Sequence, residues 1–254
     1  MLKISMLKKS QRLGIALAKS LMLSVVLWFS LAAPDFANAA PSQSTVSLDT
    51  IDRELVNVVT VYPTDSKTQD QVLSKLAAAE SAAFSKTPGF VDASILKAQD
   101  GSQVIALSQW KGKDLSDFQA YAQEHVLNVD DNQTPQSFAC QVQHTEARAG
   151  SPNFAAEDVI MFSQFKMKPD QKQSDLAMII TQEMPGVLQM VSGLQWAAMC
   201  PSTDQSTIAL IARWNSRDDF TSLGQKPGFD QETNYWQAYA NNEHGLYDVA
   251  QVIR

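Results

Sequence analysis

Residues 89–110 of this chain align without a gap on residues 193–214, and that internal repeat restricts the possible folds more than any other feature. Each copy holds two apolar runs around a polar turn and ends in tryptophan, Trp110 or Trp214. The first turn is Gln99, Asp100, Gly101 and Ser102, where Asp-Gly marks a hairpin because it tolerates positive φ. The second copy places Pro201, Ser202, Thr203 and Asp204 there. Upstream of each hairpin lies another apolar run, residues 55–62 and 159–167, running into Tyr62-Pro63 and Lys168-Pro169.

A helical pattern follows each of these runs. Val72, Leu76, Ala79 and Ala83 fall on one helix face, and Pro88-Gly89 stops that helix. The second copy has a shorter pattern around residues 176–180, which Pro185-Gly186 is expected to break or kink. Downstream, residues 118–125 match residues 236–244 with one insertion, and each precedes a strand-like stretch, 137–145 and 246–253. Each copy therefore reads strand, helix, strand, strand, helix, strand, the ferredoxin-like βαββαβ unit. Helices cover one face of such a sheet, so the second copy is the expected cover for the other. The expected class is α+β, with domains at 50–146 and 157–254 joined by a linker over about 146–157.

Before the first copy, Lys3, Lys8, Lys9, Arg12 and Lys19 precede an apolar run at 21–33 and then Ala37, Asn38 and Ala39. This is the pattern of an export signal over 1–39 with an A-x-A cleavage site. The run falls short of the roughly 20 residues a spanning helix needs, so no stable membrane anchor is expected after cleavage. The remainder carries 15 Lys/Arg against 26 Asp/Glu, a formal charge of −11, which should repel nucleic acid and anionic membranes.

The strand running into Pro63, the turn at Pro88, Gly89 and Phe90, and the strand endings at Trp110, Lys111, Gly112, Lys113 and at Trp214, Asn215, Ser216, Arg217 resemble the antibiotic-biosynthesis-monooxygenase (ABM) domain. The resemblance covers most of residues 54–254, once per copy. Family members pair two subunits into a dimeric α/β barrel, so this chain resembles such a dimer fused end to end, a pseudo-dimeric α/β barrel of two tandem ferredoxin-like domains. The resemblance implies cofactor-independent oxygenation of quinols or polyketide phenols, with no cofactor and a pocket between the sheet and its helices. The haem-degrading branch has Asn on strand one, Trp nine residues after the strand-three tryptophan and His ten beyond. Asn57 fits the first position, but the others hold Gln119 and Val129 in copy one and Leu223 and Thr233 in copy two.

Among single residues, Asn57 alternates with Leu55, Val59 and Val61, and its counterpart is taken as Ser163 beside Met161, Phe165 and Met167. A polar group in an apolar row needs a hydrogen-bond partner or a ligand, so Asn57 is either catalytic or a satisfied core residue. His125 and His244 sit at matching positions after a glutamate and are candidate general bases, or cations at exposed helix ends. His144 lies on the expected fourth strand. Three scattered histidines give no zinc spacing, and no metal is expected.

All six methionines beyond residue 39 and three of the four tryptophans there fall in copy two. A Met- and Trp-rich lining suits an aromatic ligand, with core filling as the alternative. Trp110, Met161, Ser163, Phe165 and Trp214 are the candidate substrate-binding residues. Cys140 and Cys200 fall on edge strands of a 4-1-3-2 sheet, where a disulfide would staple a seam between the copies and hold the Cα atoms within about 7 Å. Two buried thiols are the alternative. Two functions follow: an exported monooxygenase acting on a quinol or other aromatic small molecule, or a non-enzymatic ligand-binding or assembly module.

Overall fold

The β-branched run of β2 (Leu55–Pro63) forms the first long strand, paired on one side with β4 (Gln103–Lys111) and on the other with β5 (Gln136–Cys140). The computed structural model describes residues 44–48, 55–83, 87–112, 134–225 and 235–254. These all lie in one unit spanning Pro41–Arg254. The expected leader and His125 fall outside the described residues.

The first hairpin is β3 (Phe90–Ala98) with β4, and the second is β9 (Leu194–Pro201) with β10 (Thr207–Trp214). With β8 (Val159–Met167), β11 (Ala240–Ile253) and the short β6 (His144–Ala147), they build one sheet in the order β5-β2-β4-β3-β11-β8-β10-β9-β6. The first four strands and the next four repeat one order. The strands at the two ends of this sheet, β5 and β6, are separated only by residues 141–143. Gln141 and Gln143 donate backbone hydrogen bonds to Pro201 and Met199, and Cys140 bridges to Ser202. The sheet therefore curls until its ends meet. At that junction Cys140 and Cys200 form a disulfide with Cα atoms 5.4 Å apart.

Alternation along every strand separates two faces. The inner face gathers Val59, Val61, Leu96, Leu107, Ile160, Phe162, Trp196, Ile211 and Tyr247 into one core drawn from both copies. A small second sheet, β1 (Thr45–Ser47) with β7 (Asn153–Ala155), adds Val46, Leu48 and Phe154 to it. The inside is thus packed with side chains. On the outer face, α1 (Gln69–Ala83) lays Val72 and Leu76 over Tyr62, Ile95 and Ala106. In the second copy α2 (Gln173–Met190) lays Leu176, Ile180, Met184 and Leu188 over Met199, Ile208 and Ala212.

Two details recur in both copies. Gln69, the first residue of α1, donates to the carbonyls of Ala98 and Gln103 at 2.8 and 3.0 Å, tying the helix to the hairpin tip. Gln173, the first residue of α2, does the same to Ser202 and Thr207 at 3.1 and 2.6 Å. Lys111 and Asn215 donate to Gly89 and Gly193 at 2.7 and 2.9 Å. Gly89 has φ +88°, and a Cβ there would meet the Lys111 carbonyl oxygen at 2.8 Å.

Four expectations from the sequence need correction. Pro185-Gly186 does not break α2, which runs on to Met190; both residues lie on the exposed side, where a lost backbone bond can be met by water. Residues 236–244 are no helix: a 3₁₀ turn at Tyr235–Ala238 gives way to β11, so His244 stands on a strand. The fourth strand expected at 137–145 divides into β5 and β6, because its two parts serve opposite ends of the sheet. The expected linker holds part of β6, all of β7 and an anchor, Arg148. Its guanidinium donates to the carbonyls of Leu188, Val191 and Leu194, closing the end of α2 onto the sheet. Arg148→Ala should lower the unfolding free energy by about 2–3 kcal/mol in chemical denaturation, and Arg148→Lys should not restore it, because one ammonium cannot match the fork.

Candidate functional site

The candidate residues divide between the two faces of the sheet. Strand register pairs Val56 with Trp110 in the first copy and Val159 with Trp214 in the second. The position equivalent to Asn57 is therefore Ile160, and Ser163 is equivalent to Thr60. Asn57 and Ser163 are not counterparts, and they point to opposite faces.

Asn57 is buried on the inner face, and its Oδ1 accepts from Gln109 Nε2 at 2.9 Å. Gln109 also donates to the Ser47 carbonyl at 2.8 Å, so β1 lies across this end of the interior. Opposite Gln109 stands Asp92, with Ser94 next on the same face. Asp92 Oδ1 and Ser94 Oγ are buried and have no hydrogen-bond partner among the described residues. Burial pushes the Asp92 carboxyl up to about 6, partly opposed by the Arg254 guanidinium. The folded chain then holds a proton that the unfolded chain, with an ordinary carboxylate, releases at lower pH. Stability should fall as pH rises from about 4 to about 6. Asp92→Asn should flatten that decline and leave the protein more stable by on the order of 1–2 kcal/mol at pH 7.5, read by urea titrations across pH.

The other candidates meet on the outer face of the second copy. Met161, Ser163 and Phe165 line β8, with Leu246, His244 and Asn242 opposite them on β11 and Ala212, Leu210 and Ile208 opposite on β10. Asn242 Nδ2 donates to Ser163 Oγ at 2.6 Å, and Asn242 Oδ1 lies 3.0 Å from His244 Nδ1. Since the Asn242 amide nitrogen is used toward Ser163, its oxygen faces the imidazole as an acceptor. That places the imidazole proton on Nδ1 and leaves a lone pair on Nε2. Phe220, within the short helix α3 (Arg217–Thr221), packs edge-on against both Trp214 and His244, with centroids 5.2 and 6.2 Å away. Trp236 packs on Phe165 at 6.0 Å. Met161, Leu210, Phe220, Leu223 and Trp236 are only half-buried, so an apolar surface surrounds a short polar chain.

The first copy differs at the same places. Its outer face has Thr60 and Ser137 sharing a 3.0 Å hydrogen bond where the second has Ser163 and His244. Trp110 Nε1 donates to Ser108 Oγ at 2.9 Å, whereas Ala212 occupies the position of Ser108, and Trp214 Nε1 is buried with no partner among the described residues. An orphaned buried donor costs about 1–3 kcal/mol. Trp110 itself is fully buried against Phe90 and belongs to the core.

Asn242, Phe220 and the Ser108/Ala212 difference escaped sequence reasoning. Asn242 and His244 stand two apart, the spacing of one strand face, but that signal is invisible while the segment reads as helix. His144 stands half-buried on β6, 3.2 Å from Glu146. An open groove of about 540 Å³ near Ser66, Asp100 and Arg217 is polar, and the Lys97–Asp70 pair in it is closed at 2.7 Å. Among the described residues no three His, Cys, Asp or Glu side chains converge as a metal set.

Neither a family signature nor a curated protein sequence matches the chain. Solved structures do. An anthrone oxidase-like protein superposes with a TM-score of 0.66 at 16% identity, over 82% of this chain and 95% of that one. A candidate monooxygenase from Fusobacterium nucleatum subsp. nucleatum superposes with a TM-score of 0.53 at 9% identity, over 80% and 96%. The fold is therefore the one these structures share, an α+β fold with a curled antiparallel sheet and few helices. Each match runs across both copies within a single neighbouring chain.

Proposed function

We propose that the chain is an exported, ABM-like monooxygenase in which two tandem copies, 50–146 and 157–254, form a pseudo-dimeric barrel. Its substrate is a phenolic or quinol-type aromatic molecule held on the outer face of the second copy. The observation that carries this is the Ser163–Asn242–His244 hydrogen-bond chain set among Met161, Phe165, Trp214 and Phe220. The repeated strand order and the matching Gln69 and Gln173 ties support the duplication. The leader pattern and the disulfide support an oxidising compartment.

In the reaction, His244 Nε2 takes the proton of the aromatic hydroxyl, and Asn242, braced by Ser163, keeps the imidazole in that tautomer. The electron-rich substrate anion reduces dioxygen directly. One oxygen atom enters the substrate, replacing two hydrogens as a carbonyl, and the other leaves as water, so no external reductant is required. His244 is exposed and open to the substrate, and the half-buried Met161 and Phe220 give the aromatic ring an apolar surface beside it. Asn57 has a structural role in this scheme, holding Gln109 and the strand across the interior.

The test is native mass spectrometry of the purified protein for a retained aromatic ligand, together with oxygen uptake on anthrones and quinols. A retained ligand or saturable uptake supports the proposal. A clean ligand-free mass in repeated preparations, with no uptake, leaves the non-enzymatic binding module as the better account.

A further inference from the structure

The two copies differ in one atom that matters for recognition. In the first, Ser108 Oγ satisfies the indole N–H of Trp110. In the second, Ala212 supplies no oxygen, and Trp214 Nε1 is left without an acceptor although the residue is only 4% exposed. Ala212 is flanked across the sheet by Ala197 on β9 and Met161 on β8, a small and a flexible neighbour. From this we infer that the ligand carries a carbonyl-type oxygen that accepts a hydrogen bond from Trp214 Nε1, and that residue 212 decides which copy can receive it.

The inference rests on the proposed outer-face site and deepens it by naming the ligand class. A ligand that satisfies both ends presents a hydroxyl to His244 and an acceptor oxygen to Trp214, which is a hydroxylated aromatic ketone. A purely hydrocarbon aromatic would leave the indole N–H as unsatisfied as before. The first copy lacks both halves of this arrangement: its indole is already occupied, and Ser137 stands where His244 would be. The chain thus has one competent face, and the duplicated partner serves as its scaffold.

Two probes of one skeleton test this: 6-hydroxy-1-tetralone, and 5,6,7,8-tetrahydro-2-naphthol, which lacks only the carbonyl. Wild-type protein should bind the ketone about tenfold more tightly by calorimetry, and one indole N–H resonance, assigned to Trp214 through Trp214→Phe, should shift only with the ketone. Ala212→Ser adds a hydroxyl beside the indole. It should bring the two probes within about twofold of each other by weakening the ketone, while the naphthol binds as to wild type. Trp214→Phe should also lose the preference. Equal binding of both probes by wild type, or a preference that survives Ala212→Ser, overturns the inference while leaving the outer-face site in place. No binding of either probe overturns both.

Discussion

On the proposed mechanism, His244→Gln should lower oxygen uptake on a phenolic substrate by about a hundredfold, the lower range for a lost general base, while KM changes little. Glutamine can still hydrogen-bond to Asn242 and fill most of the space beside Phe220, but its amide has no basic lone pair. Asn242→Ala leaves the imidazole in place and removes what fixes its tautomer, so its loss should be smaller. The first-copy substitution Asn57→Ala gives the contrast. Asn57 accepts from Gln109 inside the packed interior, so replacing it should lower stability and leave turnover per folded molecule unchanged. If Asn57→Ala removed turnover and His244→Gln did not, the chemistry would have to be moved to the interior.

Breaking the Cys140–Cys200 disulfide, by Cys140→Ala with Cys200→Ala or by reduction, should cost about 4 kcal/mol and lower the melting temperature by roughly 10 °C. The bond spans 60 residues of sequence, which sets that magnitude through the freedom regained by the unfolded chain. Its position raises the consequence. Cys140 and Cys200 sit where the two ends of the sheet meet, a junction that among the described residues is also held by the β6–β9 pairing, the Cys140–Ser202 bridge and the backbone bonds of Gln141, Gln143 and Thr203. Both cysteines are fully buried, so reduction of the native protein should be slow and should speed up with mild denaturant. Differential scanning calorimetry in oxidised and reduced forms reads both effects.

Much of the fold is legible in the sequence, and the reasons are local. The Asp100-Gly101 turn, the period-two runs on either side and the terminal tryptophans specify each hairpin without reference to the rest of the chain. Equivalence between the two copies is less legible. Strand one of each copy carries apolar residues on both faces, so in the sequence the prolines at Pro63 and Pro169 set the alignment. They do so with the wrong register, and a slip in register exchanges faces. This is why Asn57 and Ser163 look equivalent in sequence while one points inward and the other outward. His244 illustrates a second limit. Residues 236–240 match the stretch of the first copy whose sequence reads as helix, yet they form a short 3₁₀ turn leading into β11.

The site depends on differences that single residues make between related positions. Ser108 and Ala212 are both unremarkable as letters, and neither has a periodicity to betray it. Only the neighbouring indole gives the difference meaning, by being satisfied in one copy and unsatisfied in the other. Arg148 is similar. In a polar stretch containing Gly150 and Pro152 it reads as linker, and its three carbonyl acceptors, at Leu188, Val191 and Leu194, are far away in sequence.

The distribution of methionines provides the most direct test of the outer-face site. Met161 lies half-buried on its floor, whereas Met178 and Met190 on α2 are 56% and 63% exposed to solvent. With methyl-labelled methionine, titration of 6-hydroxy-1-tetralone into the full chain should shift the Met161 resonance and leave Met178 and Met190 in place. A titration in which Met161 stays fixed while the ligand binds would place the ligand elsewhere and contradict a site on the second copy.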